Sequence, residues 1–155
     1  MFKPDFFHSN QIQAIQTTRI GGNSKPPYAA MNLGVFGEDP EALINVNALA
    51  KHTPHSPVFM KQVHGNRVVE YKSKPAKHGE IEADACFTRE KGIVCAVLSA
   101  DCLPVLITDN ENTVVAAVHC GWKGLHLNLL KKKLRKLDLI LIKLIEKILL
   151  IMLIV

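Results

Sequence analysis

The chain has 155 residues, of which 48% are hydrophobic and 21% charged, with four cysteines and a formal net charge of +5. Length and composition favour one compact domain and exclude a disordered tail, a collagen and a disulfide-stapled miniprotein. The excess of basic residues lies entirely after Leu125, because the first 124 residues hold 12 basic and 12 acidic side chains, so no nucleic-acid-binding face is expected in the main part of the chain.

Short runs of β-branched and apolar residues, bounded by turn residues, predict a succession of strands. The predicted strands are residues 12–18, 58–63, 67–71, 83–88, 93–98, 105–108 and 114–119. Asp39-Pro40-Glu41 predicts the start of a helix that runs to about Lys51, since aspartate favours the N-cap and proline the first helical position. No gap between residues 83 and 119 can hold a crossover helix. We therefore expect an α+β fold with a mixed or antiparallel sheet and few helices.

The composition changes abruptly at Leu125, which divides the chain into residues 1–124 and 125–155. Of the last 31 residues, 12 are Leu, six are Ile and six are Lys, and the apolar residues recur at steps of four and three. This spacing predicts an amphipathic C-terminal helix that packs on the domain or on a partner, with a membrane surface as the less favoured site. We favour over both an out-of-frame or degenerate ending, because an AT-rich reading frame encodes such a run by accident.

The N-terminal residues lack the apolar run of a secretory signal, and no segment reaches the roughly 20 apolar residues that span a bilayer. We therefore expect a cytoplasmic protein. Disulfides rarely persist in a reducing compartment, so the cysteines are predicted to be free thiols. They are Cys86, Cys95, Cys102 and Cys120.

Three short loops after predicted strands carry side chains that bind metals, namely His64, Cys102 and His119. Two imidazoles and one thiolate are donors that zinc prefers, and three protein ligands with an open fourth position are typical of catalytic zinc. Their spacing matches no local zinc motif. From the residues alone, they could equally be a turn histidine, a buried cysteine and a hydrogen-bonded histidine at a strand end.

Residues 17–124 carry a series of motifs whose order resembles the laccase-domain, or YfiH-like, family. The motifs are Thr17-Thr18-Arg19-x-Gly21-Gly22, Asn32-Leu33-Gly34, Gln62-Val63-His64-Gly65, Ala83-Asp84-Ala85, Ala100-Asp101-Cys102-Leu103-Pro104-Val105 and His119-x-Gly121-Trp122-Lys123-Gly124. Each motif is ordinary by itself, but the ordered series is specific. The resemblance implies a mixed α/β domain in which His64, Cys102 and His119 bind Zn²⁺, or alternatively Cu²⁺, beside a nucleoside pocket.

The resemblance also implies an activity, since the family is associated with phosphorolysis of adenosine, inosine and methylthioadenosine and with deamination of adenosine. A purine nucleoside and phosphate are then the expected partners. Arg19, in its glycine loop, and Lys123, where the family usually has arginine, are the candidate phosphate-binding residues. Cys102 and Asp101 are the candidate catalytic residues, Asp101 as a base or as a group that orients a metal ligand.

The chain departs from the family pattern at two places. The helix after Asp39 lacks the arginine that the family carries there, so one anion-binding charge is missing. The motifs also end at Gly124, whereas the family continues into further strands; we therefore expect a truncated copy with an exposed sheet edge, open to self-association or a partner. The alternative functions are a noncatalytic metal-binding or interaction module and a copper-dependent polyphenol oxidase.

Overall fold

A computed structural model describes residues 12–126 and 151–154 of the chain. In chain order the elements are β1 (Gln13–Gln16), α1 (Ala42–Ala48) continued by a 3₁₀ turn (Leu49–Lys51), β2 (Val68–Glu70), β3 (Ala85–Thr88), β4 (Val94–Ala96), β5 (Leu103–Thr108), β6 (Val115–Cys120), α2 (Trp122–His126) and β7 (Ile151–Ile154). The short helices and mostly antiparallel strands of these residues confirm the predicted α+β class. No helix in the same residues has the length and apolarity that crossing a bilayer requires.

The larger sheet has the strand order β2-β3-β6-β5 and is mixed. β2 runs parallel to β3, whereas β6 is antiparallel to both β3 and β5. In the β5–β6 pair the register runs from Leu103 opposite Cys120 to Thr108 opposite Val115. The end of β6 and the loop that precedes β5 therefore lie side by side, and His119 and Cys102 belong to these two segments.

The smaller sheet has three antiparallel strands in the order β1-β7-β4, with Ile154 of β7 opposite both Gln13 and Val94. A C-terminal helix was predicted for this part of the chain, and for Ile151–Ile154 that prediction is wrong. Between two strands, the segment satisfies its backbone groups on both sides, which suits a β-branched apolar run. Residues 127–150 of the predicted helix lie outside the described residues.

The helix predicted with Asp39 as its N-cap and Pro40 as its first residue begins two residues later, at Ala42. The carboxylate of Asp39 accepts hydrogen bonds from the Glu41 N–H at 3.0 Å and from Asn32 Nδ2 at 2.8 Å. These bonds stabilise a turn before the helix, so Asp39 fixes the approach to α1 instead of capping it. The predicted end near Lys51 is confirmed, because the 3₁₀ turn ends there.

Residues 58–63 form no regular strand, contrary to the prediction, and Lys61 makes only an isolated bridge to Glu82. Phe59 and Met60 are adjacent in sequence and both buried, so this stretch does not alternate between a core face and a solvent face. The N–H of Phe59 donates to Nδ1 of His78 at 3.1 Å instead of to a strand. The segment is an extended connection whose own end leads into the turn that carries His64.

Candidate metal centre

His64 lies in a turn whose backbone is held by a single carboxylate. The N–H groups of Val63, His64 and Gly65 donate to the Asp84 side chain at 3.2, 2.8 and 2.8 Å. The φ of His64 is 58°, a left-handed conformation that is uncommon for a residue with a side chain, and these hydrogen bonds support it. Gly121 lies against the imidazole, because a Cβ at that position would be 2.7 Å from His64 Cδ2.

Cys102 lies in the loop between β4 and β5, and a glutamine side chain ties this loop to the His64 turn. Gln62 Nε2 donates to the Leu98 carbonyl at 2.8 Å, and Gln62 Oε1 accepts from the Leu98 N–H at 2.7 Å. Ser99 Oγ donates to the carbonyl of Cys102. The loop is therefore held by hydrogen bonds near both of its ends, and the thiol is partly buried.

His119 is the buried member of the group, with 4% of its surface exposed. It lies in β6, where its N–H donates to the backbone carbonyl of Asp84 at 2.8 Å. Its Nδ1 lies 2.9 Å from Oδ1 of the same aspartate. A ring nitrogen that faces a carboxylate carries a proton, so Nε2 is left as the nitrogen with a lone pair. Carboxylates orient metal-binding histidines in this way.

The structure brings the three residues together, with one donor atom from each within 4.8 Å of the other two. His64 Nε2 lies 3.7 Å from Cys102 Sγ, and the rings of His64 and His119 meet edge to face with centroids 4.7 Å apart. Tetrahedral zinc, with Zn–N of about 2.1 Å and Zn–S of about 2.3 Å, separates its donors by about 3.4–3.7 Å. The donor set fits one divalent ion after small side-chain movements, and it is the one such group in residues 12–126 and 151–154.

Burial and hydrogen bonding oppose each other at the Asp84 carboxyl. Burial raises its pKa, but hydrogen bonds from His119 and from three backbone N–H groups outweigh burial and lower the pKa overall. At Cys102, burial raises the pKa of the thiol, and the neighbouring carboxylates of Asp101 and Asp84 raise it further. A metal that binds the Cys102 thiolate therefore has to displace a proton.

The group borders a cleft of about 870 Å³. Arg19 and Asp101 both line this cleft, and Arg19 Nη2 donates to the Ala29 carbonyl at 2.9 Å. Lys123 does not line it; its Nζ lies 5.6 Å from the centre of the Trp122 ring, which is 73% exposed. The structure therefore brings Arg19 and Asp101 to the cleft of the metal-binding group but not Lys123.

Two residues that hold the site together, Asp84 and Gln62, received no role in the sequence analysis. Both occur in the motifs that carry the family resemblance. Asp84 also had a signal of its own, because it lies between two alanines in an apolar run predicted to be a strand. A carboxylate in such a position is buried only when it is paired or hydrogen-bonded, which points to a specific partner.

Among curated proteins, the chain is similar to purine nucleoside phosphorylases. It is 44% identical over 118 residues to YfiH of Shigella flexneri, covering 74% of this chain and 48% of that protein. It is 41% identical over 126 residues to YfiH of Escherichia coli, covering 79% and 51%, and 41% identical over 133 residues to a phosphorylase of Corynebacterium glutamicum, covering 82% and 54%. The chain spans about half the length of these curated relatives.

The fold is similar to that of solved structures of similar sequence. A Neisseria meningitidis protein gives a TM-score of 0.78 at 31% identity, covering 89% of this chain and 57% of that one. YfiH of Bacillus licheniformis gives a TM-score of 0.74 at 27% identity, covering 83% and 53%. A family model described as multi-copper polyphenol oxidoreductase laccase matches residues 13–151, beyond the last sequence motif at Gly124. Since this match covers most of the chain and agrees with the YfiH-like resemblance, the chain belongs to the multi-copper polyphenol oxidoreductase laccase family.

Proposed function

We propose that the protein is a zinc-dependent purine nucleoside phosphorylase. The proposal depends chiefly on one observation, the convergence of His64, Cys102 and His119 beside a cleft whose volume suits a nucleoside. The names of the curated relatives support the reaction class. Adenosine, inosine and methylthioadenosine are the proposed substrates and phosphate is the co-substrate, with deamination of adenosine as a second reaction of the same site.

His64, Cys102 and His119 are the proposed ligands of the metal. Zinc is preferred to copper because neither phosphorolysis nor deamination changes an oxidation state, and zinc has no redox chemistry. When bound, zinc would supply a Lewis acid that polarises oxygen and lowers the pKa of water to near neutrality. The protein contributes the fixed donor set, with the Nε2 of His119 freed for the metal by the bond between Nδ1 and Asp84.

Phosphorolysis also requires residues that bind an anion and transfer a proton. A phosphate oxygen attacks C1′ of the ribose while the bond from C1′ to the base nitrogen breaks, and the base leaves with a proton. We assign phosphate binding to Arg19, which lines the cleft and whose guanidinium uses one donor on Ala29, leaving others for an anion. We assign proton transfer to Asp101, which lines the cleft next to Cys102.

The departures from the family pattern limit how strongly phosphate is expected to bind. Helix α1 carries no arginine, and Lys123 is directed to Trp122 and not to the cleft, so Arg19 alone carries this part of the proposal. The apolar side chains of the cleft, among them Phe36 and Leu98, are the proposed contacts for the purine base. We therefore expect binding of the nucleoside to be retained better than binding of phosphate.

The full chain, loaded with zinc, is tested for zinc content and for release of adenine or hypoxanthine in the presence and absence of phosphate. We expect about one zinc per chain, as three protein ligands and one open position imply, and base release only with phosphate. Cys102→Ala is expected to lose both, whereas Cys95→Ala, which removes a buried thiol of β4 outside the group, is expected to keep both. Bound zinc without phosphate-dependent release contradicts the catalytic assignment, and absence of zinc contradicts the proposal as a whole.

Copper-dependent oxidation of phenols is the second candidate, because the family description names multi-copper polyphenol oxidoreductases. We rank it lower, since the described residues contain one His/Cys group, enough for a single ion. Phenol oxidation by the copper-loaded protein that disappears in Cys102→Ala would favour this candidate. A noncatalytic metal-binding module predicts zinc without turnover, and self-association through a sheet edge predicts a dimer in light scattering.

A further inference from the structure

We propose that Asp84 is a positioning residue that prepares the metal site before any metal binds, by holding both histidines of the group with one buried carboxylate. The proposal deepens the proposed function, on whose ligand set it rests. It assigns to Asp84 no contact with metal or substrate, only an action through His64 and His119.

Four N–H groups converge on the Asp84 side chain, which is fully buried. Oδ1 accepts from the His64 N–H at 2.8 Å and lies 2.9 Å from His119 Nδ1. Oδ2 accepts from the N–H groups of Gly65 at 2.8 Å and of Val63 at 3.2 Å. Each carboxylate oxygen thus has two donors, so the acceptor capacity of the side chain is filled. Asp84 is therefore not available as a ligand or a base.

The backbone of Asp84 adds a second connection to the same elements. Its carbonyl accepts from the His119 N–H at 2.8 Å, and its own N–H donates to the Arg67 carbonyl at 3.3 Å. Main chain and side chain of one residue therefore fix β6 at His119 and the turn at His64 relative to each other. A movement of the His119 ring or of the His64 backbone away from the group breaks a hydrogen bond to a buried carboxylate, which is costly.

The Asp84 contacts also determine which nitrogen of His119 is available. With Nδ1 bonded to Oδ1, the lone pair of the neutral ring is on Nε2. At His64, the hydrogen bonds support the left-handed backbone, and Nε2 of that ring already lies 3.7 Å from Cys102 Sγ. When the donor side chains are already ordered, metal binding has a smaller free-energy cost for ordering them. The Asp84 carboxylate should therefore increase metal affinity without contacting the metal.

The first test uses the metal-free wild-type chain and needs no substitution. Histidine ¹⁵N NMR at about pH 8, above the ordinary imidazole pKa, reports the tautomer of each ring. We expect His119 as the Nδ1–H tautomer with a slowly exchanging proton, because its ring is buried against Asp84. An Nε2–H tautomer, or a mixture of the two tautomers, would overturn the proposal.

The second test compares zinc binding by Asp84→Asn and Asp39→Asn with that of the wild-type chain. In Asp84→Asn, an NH₂ group replaces one carboxylate oxygen, which now accepts hydrogen bonds from two N–H groups. We expect zinc affinity to fall about 10- to 100-fold. Asp39 is an equally suitable buried aspartate with backbone and side-chain partners, but it lies outside the metal group, so its variant should bind zinc within about twofold of wild type. Equal zinc affinity in Asp84→Asn and wild type would refute the positioning role.

These outcomes are separate from those that test the phosphorylase activity. Zinc affinity and the His119 tautomer are measured without nucleoside or phosphate, so they stand whether or not the chain releases a base. If Asp84→Asn does not fold, the tautomer measurement on the wild-type chain still decides the proposal. A wild-type chain that shows the expected tautomer and binds zinc, yet has no activity, contradicts the phosphorylase function and leaves the role of Asp84 intact.

Discussion

Replacing Gly121 with alanine should disable the metal site while leaving the fold in place. The added Cβ would lie 2.7 Å from His64 Cδ2 and 3.4 Å from Cys102 Sγ, whereas carbon atoms pack at about 3.5–4.0 Å. The imidazole must therefore move by about 1 Å, several times the tolerance of about 0.2 Å on a metal–ligand bond. His64 is exposed and can swing outward, so the loss of stability should be modest, about 1–2 kcal/mol.

Zinc affinity of Gly121→Ala, measured by competition with a chelating dye, is expected to fall at least about tenfold, or about 1.4 kcal/mol. Gly65→Ala is the matched control, because its Cβ would lie 3.5 Å from Asp84 Oδ2 and Val63 Cγ2, an ordinary contact. The control should bind zinc nearly as well as the wild-type chain. Unchanged zinc affinity in a folded Gly121→Ala protein would refute the placement of His64 against Gly121, and with it the assembly of the site.

Three further substitutions test the supports around the cleft by urea unfolding. Gln62→Ala loses both hydrogen bonds to Leu98 and should lower the free energy of unfolding by about 1–3 kcal/mol, with weaker zinc binding because the Cys102 loop loosens. Asn45→Ala removes a fully buried amide that donates to three oxygen atoms, and should cost about 2–4 kcal/mol without changing zinc affinity. Hydrogen bonds, that from Ser24 most of all, lower the pKa of Asp39. The stabilising effect of the Asp39 carboxylate is therefore present above the ordinary aspartate pKa and is lost as the pH falls through the lower pKa of the folded state. Asp39→Asn should reduce the loss of stability over that acid range, and an unchanged dependence of stability on pH would contradict the assignment.

The regular parts of the fold could be predicted because their signals are local. The apolar runs that form β3, β4 and β6 are separated by turn residues. Each of these three strands lies inside its predicted range or extends one residue beyond it. The absence of room for crossover helices between residues 83 and 119 correctly indicated a mostly antiparallel arrangement. For the same reason the α+β class followed from the sequence.

The errors arose where long-range pairing outweighs local pattern. Residues 151–154 belong to the tail predicted as a helix, but in the structure they pair with β1 and β4, segments that are distant in sequence. Residues 58–63 have strand-forming composition, but Lys61 makes only an isolated bridge, to Glu82, and the N–H of Phe59 donates to His78 instead of to a strand. Tertiary partners of this kind are not encoded in the spacing of apolar residues.

The three side chains that converge at the candidate site could be selected from the sequence, but the residues that hold them in place could not. His64, Cys102 and His119 carry side chains whose chemistry suggests metal binding, and the family motifs singled them out from the other histidines and cysteines. The hydrogen-bond partners of Asp84 are distant from it in sequence, in the segments around residues 63–65 and 119, and they meet it only in the folded chain. A role of that kind becomes visible when the distances are known.

Zinc-edge X-ray absorption on the zinc-loaded full chain tests the central claim most directly. The proposed ligand set predicts one sulfur at about 2.3 Å and two imidazole nitrogens at about 2.0–2.1 Å. The sulfur contribution should vanish in Cys102→Ala and persist in Cys95→Ala. A wild-type spectrum without sulfur, or with its sulfur unaffected by Cys102→Ala, would contradict the convergence of His64, Cys102 and His119 on one metal ion.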